Sequence, residues 1–414
     1  MTSGRAPVAA PGFRRAAVAR AAAVAEDGAR AADAARRLGA ATLAALDEAG
    51  FARHFVPRRF GGREGTFTEV FRATAEVAEG CASAAWLGML WAAHGRFAAL
   101  LPEEGQREVW GASPDARIAA GLMPPSGTVR PAHGGWLLQG EWPVVSGADH
   151  ADWLLLCAPE TSVGVGTGRP GDRGRPRFRV CAVPRSAVTV VDTWRSSGMR
   201  GTASHRVVVP ATLVPAGRTV PFDVLVAGGA PEGRARCHVA PAHLAGGLLF
   251  CTPALGAARR ALAVTGERLF RGGGPDRPGP AGRGPAGPFP APGGDGRAER
   301  WARARADVEA VGTLLAEAVR RADDGDVSPY AVARNRRDAQ VAAERLAAAM
   351  DLLTGADEAE LPGGVGDLGR HVRDVRTVAS HGALRGKIAA AAFSDALRPA
   401  PDAVTVRSVR EGSS

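Results

Sequence analysis

From about residue 14 to residue 110, apolar positions recur every three or four residues, the period of helices that bury one face. Residues 14–38 are alanine-rich, with Arg, Glu and Asp to one side, and 41–49 follows after Gly39. A turn signal, Pro57-Arg-Arg-Phe-Gly-Gly, precedes a helix expected from Thr66 to Gly80, where Thr68 and Glu69 are placed to satisfy early amides. The next helix, over 82–101, carries Trp86, Met89, Leu90, His94 and Phe97 near helical spacing, and a short one opens at Glu103 and ends at Trp110. The period changes near Ile118. Short β-branched or apolar runs, among them Trp136-Leu-Leu, Trp153-Leu-Leu-Leu and Arg206-Val-Val-Val, are divided by Gly, Pro, Asp and Ser through Phe222, which predicts an antiparallel barrel or sandwich. Helical spacing returns after Gly229 over 240–269, 299–321 and 328–354, and a last helix is expected over about 368–397. The chain therefore reads as α+β, mainly α: helices in 1–116, a β domain in 117–228 and a helical bundle in 229–414. Residues 162–177, rich in Gly and Arg, read as a mobile loop, and the Gly/Pro-dominated insertion 271–296 as a disordered excursion.

Composition changes the picture little. A 414-residue chain with 45% apolar residues can bury a large core. Its net charge of +10 resembles a nucleic-acid signal, yet Lys387 is the only lysine among 52 basic residues, and the arginines are scattered, often beside Asp or Glu. With a single tyrosine there is little aromatic interleaving for base stacking, so no nucleic-acid partner is expected. Cys81, Cys157, Cys181, Cys237 and Cys251 show neither Cys-x-x-Cys nor ligand-like pairing with histidine, which predicts reduced, mostly buried thiols, no metal site and a cytoplasmic protein. The uncharged stretch 237–258 contains two histidines and two prolines and reads as a buried helix, so no membrane span is expected.

Candidate chemistry begins with what is missing. The sequence has no Gly-x-Gly-x-x-Gly after a strand, no P-loop, no His-Glu-x-x-His and no Gly-x-Ser-x-Gly, which argues against the enzyme classes built on them. Residues 142–153 read W-P-V-V-S-G-A-D-H-A-D-W, a Ser-Gly turn between two strand-like runs. A hydroxyl on a turn flanked by indoles suits a flat ligand that needs one hydrogen bond and a stacking surface; a hairpin with core tryptophans is the plainer alternative. In the last helix His371, Asp374, Val378, His381 and Arg385 recur at three or four, an ionisable stripe that faces either solvent or a polar cavity. His94 lies among Trp86, Trp91 and Phe97 on an apolar helix, where a satisfied core histidine is the common outcome.

Six segments in order resemble the acyl-CoA dehydrogenase superfamily, specifically its two-component flavin-dependent monooxygenases such as the phenolic-steroid hydroxylases and dibenzothiophene monooxygenases. They are Gly50-Phe-Ala-Arg-His-Phe-Val-Pro with Phe60-Gly-Gly, Gly80-Cys-Ala-Ser-Ala-Ala-Trp, Glu108-Val-Trp-Gly, Trp142-x-x-x-Ser-Gly-x-x-His-Ala-x-Trp, Gly198-Met-Arg-Gly-Thr-Ala-Ser, and Arg373-Asp374 seven residues before His381. The resemblance implies an N-terminal helical domain, a central antiparallel β domain and a C-terminal four-helix bundle that assembles a homotetramer. It implies an oxygenase component that takes reduced FMN or FAD from a separate flavin reductase and, through a C4a-hydroperoxyflavin, hydroxylates or N-oxygenates a small organic substrate with O2. In that reading His94, Ser146 and His381 are catalytic, Ser146 approaches the flavin near N5, and Trp142, Arg200, Thr202, Ser204, Arg373 and Asp374 lie in segments around the cofactor. Two departures are plain: no glutamate motif matches the dehydrogenase base, and Arg268-Leu-Phe-Arg only faintly resembles the nucleotide-contact motif. A desaturase with bound FAD acting on an acyl thioester, and a non-catalytic flavin-binding subunit, are the alternatives.

Overall fold

The computed structural model describes residues 12–161, 176–229, 234–271, 296–354 and 367–398. Nearly all of the Gly/Arg-rich stretch 162–177 and of the insertion 271–296 lies outside them.

Five helices come first: α1 Arg15–Ala35, α2 Ala40–Ala49, α3 Phe67–Gly80, α4 Ala82–Ala98 and α5 Glu103–Trp110. The start of α3 is capped by Thr66, whose hydroxyl accepts from Glu69 N while the Glu69 carboxylate accepts from Thr66 N at 2.8 Å. Thr68 does not cap, contrary to expectation. Its amide and hydroxyl, with the Phe67 amide, donate to the Asp323 carboxylate at 2.7–2.9 Å, fastening α3 to the C-terminal bundle. Helix α4 is buried along its length except at Phe97, the pattern of a helix that is apolar all round and packed on every side. It lies against α3, β1 (Ile118–Gly121) and α8 (Ala242–Arg271), so it touches all three parts of the chain.

The β region is a two-sheet sandwich. One sheet runs β2 (Thr128–Ala132), β3 (Gly135–Val145), β7 (His205–Pro215), β6 (Thr189–Val191), antiparallel throughout. The other runs β1, β4 (Trp153–Pro159), β5 (Phe178–Pro184), β8 (Thr219–Pro221). Here the antiparallel expectation needs correcting: β1 pairs with β4 in parallel, Ile118 opposite Trp153. A parallel pair needs a long crossover, and the chain makes it by building β2 and β3 into the facing sheet.

Two short helices, α6 Phe222–Ala227 and α7 Arg236–Val239, lead to the bundle of α8, α9 (Arg297–Asp324), α10 (Pro329–Thr354) and α11 (Asp367–Ala379). Of the described helices α8 is long and apolar enough to cross a membrane, but its apolar window is mostly buried inside the protein. All five cysteines are free and buried. The expected single last helix is in fact two. α11 stops at Ala379, a 3-10 turn occupies Gly382–Leu384, and α12 (Gly386–Ala396) follows. His381 therefore does not continue the helical stripe. On α11 itself His371, Asp374 and Val378 are buried, so that part of the stripe faces the interior, while Arg385 is exposed.

Candidate active site

Ser146 follows directly on β3, in a turn closed by Gly147 at φ 68°. A side chain at 147 would meet Leu87 Cδ2 of α4 at 2.9 Å, so the turn needs glycine both for its backbone and for its closeness to α4. Gly147 N donates to Thr202 O at 3.0 Å, joining this turn to a second one over residues 198–204. There Met199 and Ala203 both hold the left-handed conformation, at φ 51° and 44°.

The second turn is braced by α11. A side chain at Gly198 would collide with Arg373 O, and Met199 N donates to the Asp374 carboxylate. Asp374 is 3% exposed, and burial lifts its pKa to about 6 against the downward pull of the Met199 hydrogen bond and Arg370. Arg373 gives one nitrogen to Ser197 O at 3.0 Å and another to Asp33 of α1 at 3.2 Å, and Arg200 stands 3.5 Å from the same carboxylate. The Nε of Arg200 is buried without a hydrogen-bond partner among the described residues.

Three hydroxyls run through the turns. Thr202 Oγ1 donates to Met199 O at 2.9 Å and lies 2.7 Å from Ser204 Oγ, which lies 2.8 Å from Ser146 Oγ. Trp86 of α4 donates its indole N–H to Ser146 Oγ at 3.2 Å. The same indole packs on two other rings, Phe250 of α8 at 5.3 Å and His381 at 5.6 Å, and these lie 4.8 Å from each other. His381 Nδ1 accepts from Ala383 N at 3.2 Å, so the neutral ring carries its proton on Nε2. Burial holds its pKa below the ordinary value, which keeps it neutral.

Ser146, Thr202, Ser204 and His381 thus come together, with Arg200, Arg373 and Asp374 bracing the turn behind them. Two expectations do not fit. Trp142 is a core residue of the sandwich, 1% exposed, its N–H donated to Cys157 O at 2.9 Å, so its indole has no face for a ligand. The indole beside Ser146 belongs to Trp86 instead. His94 lies two turns along α4 from Trp86, about 12 Å by helical rise. Its Nδ1 donates to Ile118 O of β1 at 2.8 Å, and burial lowers its pKa to about 4. It presents Nε2 as an acceptor, and no described contact joins it to Ser146 or His381. Sequence reading missed Trp86 and Phe250; Trp86 was legible as the last residue of the Gly80 segment, whereas nothing marks Phe250. A cavity of about 1220 Å³ lies elsewhere, between α3, α8 and α9.

Residues 297–385 match the family described as acyl-CoA dehydrogenase, C-terminal domain. The chain is 34% identical over 244 residues to the FADH(2)-dependent resorcinol hydroxylase, oxygenase component, of Rhizobium sp. (strain MTP-10005), covering 57% of this chain and 58% of that protein. It is 33% identical over 208 residues to the flavin-dependent monooxygenase, oxygenase subunit HsaA, of Mycobacterium tuberculosis (strain CDC 1551 / Oshkosh), half of each chain. These matches span little more than half the length of either relative. Among solved structures, the HsaA monooxygenase from M. tuberculosis superposes with a TM-score of 0.78 at 27% identity, covering 92% of this chain and 96% of that one. XiaF from Streptomyces sp. in complex with FADH2 and glycerol gives 0.78 at 25% identity, covering 92% and 95%.

Proposed function

We propose that this chain, similar over about half its length to oxygenase components of flavin-dependent monooxygenases, is itself the oxygenase component of a two-component system that oxygenates a small aromatic substrate. The observation that carries the reading is the junction at Trp86, whose indole N–H holds the Ser146 hydroxyl while its ring closes a stack with Phe250 and His381. A hydroxyl for the cofactor and an aromatic wall for the substrate meet there on one side chain.

The residues present fit a flavin. Ser146 offers an oxygen at the end of a strand, and the buried Arg200 Nε, without a hydrogen-bond partner among the described residues, offers a donor on the neighbouring turn. The names of two relatives, one FADH(2)-dependent and one in complex with FADH2, favour FAD over FMN. Reduced flavin, when bound, supplies the two electrons that activate O2. The chain's own part is to hold, orient and keep dry. Phe250 and Trp86 would confine a flat substrate, and His381, packed against both rings and neutral because burial disfavours its charged form, would offer it Nε2–H as a hydrogen-bond donor. Arg373 and Asp374 hold the 198–204 turn in place rather than touching substrate. A separate flavin reductase, a homotetramer and a cytoplasmic location accompany this reading as proposals.

The test supplies reduced FAD or FMN from an unrelated reductase, with resorcinol and other one-ring phenols, and measures product against hydrogen peroxide. Hydroxylated product from at least one phenol supports the reading. Failure to bind either reduced flavin sinks it.

A further inference from the structure

The proton directions in the hydroxyl chain are fixed by counting. A hydroxyl has one proton and two lone pairs. Thr202 Oγ1 lies 2.9 Å from Met199 O, which can only accept, so the Thr202 proton points there. Reversing it would set two oxygen lone pairs face to face. Thr202 then has only lone pairs for Ser204 at 2.7 Å, so Ser204 donates to Thr202. Ser204 in turn has only lone pairs for Ser146 at 2.8 Å, so Ser146 donates to Ser204. Trp86 Nε1–H occupies one lone pair of Ser146 at 3.2 Å. What remains on Ser146 is a single lone pair. Toward any ligand it can accept and cannot donate.

The anchor is built, not incidental. Met199 O also takes the Trp194 indole N–H at 3.1 Å, and the Met199 amide is held by Asp374, so the residue is fixed at both its amide and its carbonyl. Thr202 and Ser204 are 1% and 3% exposed, which keeps water from supplying a competing acceptor.

We propose that Thr202 and Ser204 are positioning residues that make Ser146 an obligate acceptor, so that the site discriminates the redox state of its flavin. This rests on the flavin reading above. Reduced flavin carries a proton on N5 and can donate it to Ser146. Oxidised N5 has a lone pair and meets another. The site then favours the form it must receive and releases the form it must discard.

The experiment is an anaerobic titration of the full chain with reduced FAD and a parallel titration with oxidised FAD, giving the ratio of the two dissociation constants. Thr202→Val removes the link to Met199 O, leaving Ser204 free to donate to Ser146 and Ser146 free to donate outward. Ser204→Ala frees the Ser146 proton directly. Each should weaken reduced FAD, tighten oxidised FAD and shrink the ratio by about tenfold, the effect of exchanging one hydrogen bond between two states. The midpoint potential of bound flavin should fall by about 30 mV for each tenfold. Thr202→Ser restores the hydroxyl and should restore the ratio. If the wild type prefers reduced FAD and both variants keep its ratio, the relay is wrong and the flavin reading stands. If the wild type binds neither form, both fall.

Discussion

His381 has two jobs in this account, and two substitutions separate them. Its Nδ1 accepts from Ala383 N at 3.2 Å, capping the 3-10 turn between α11 and α12, and its ring, with Nε2–H left as its donor, packs beside Trp86 and Phe250. His381→Ala loses both. Loss of the cap costs about 1 kcal/mol, within the range for removing a side-chain cap, and loss of the hydrogen-bond donor lowers product formation about 10²–10³-fold, the cost of removing one donor aimed at developing charge. His381→Asn places a side-chain oxygen where Nδ1 was, so it can still accept from Ala383 N, but it brings no imidazole. Its stability should lie within a few tenths of a kcal/mol of the wild type, while its turnover stays as low as that of His381→Ala. The assay pairs urea denaturation with single-turnover product yield from reduced FAD, O2 and resorcinol. Turnover of His381→Asn within a few-fold of wild type would refute the reasoning, because it would make His381 a cap alone.

Three further predictions address the frame around the site. Burial raises the Asp374 pKa from an ordinary 3.8 to about 6, so the stability it allows is full below pH 3.8 and lost as pH rises through 6. The shift corresponds to about 3 kcal/mol; Asp374→Asn should flatten this part of the stability-pH curve, read by denaturation from pH 4 to 8. Gly147→Ala forces a left-handed residue against Leu87 and should cost about 1–2 kcal/mol, weakening reduced-flavin binding more than it lowers the melting temperature of the whole chain. Thr66→Ala removes the α3 cap, remote from Ser146, and should cost about 1 kcal/mol with no change in flavin affinity.

Much of the fold was legible because it is written in periods. The helical spacing of α3, α4 and α5 and the short strand-like runs of β3 to β7 each follow from which face is buried. What escaped depends on partners distant in sequence. The parallel pairing of β1 with β4 cannot be read from Ile118–Gly121 itself, since four apolar residues suit either direction. Asp323, which holds the first turn of α3, lies 256 residues from Phe67. The break before His381 carries no proline and is announced only by Gly382 and Gly386. At the site, Ser146 was legible from its turn, and Ser204 and Thr202 from their segment. Trp142, four residues before the serine, is taken up by the sandwich core, where its N–H donates to Cys157 O, and the indole that meets the serine comes from α4.

The most direct test of the central claim is stopped-flow mixing of the protein, saturated anaerobically with reduced FAD, against buffered O2. The expected result is a transient absorbance that belongs to neither reduced nor oxidised flavin, outlives the reoxidation of free reduced flavin, and decays with hydroxylated product when a phenol is present. Reoxidation at the rate of free flavin, with no transient and peroxide as the sole product for every phenol tried, would contradict it.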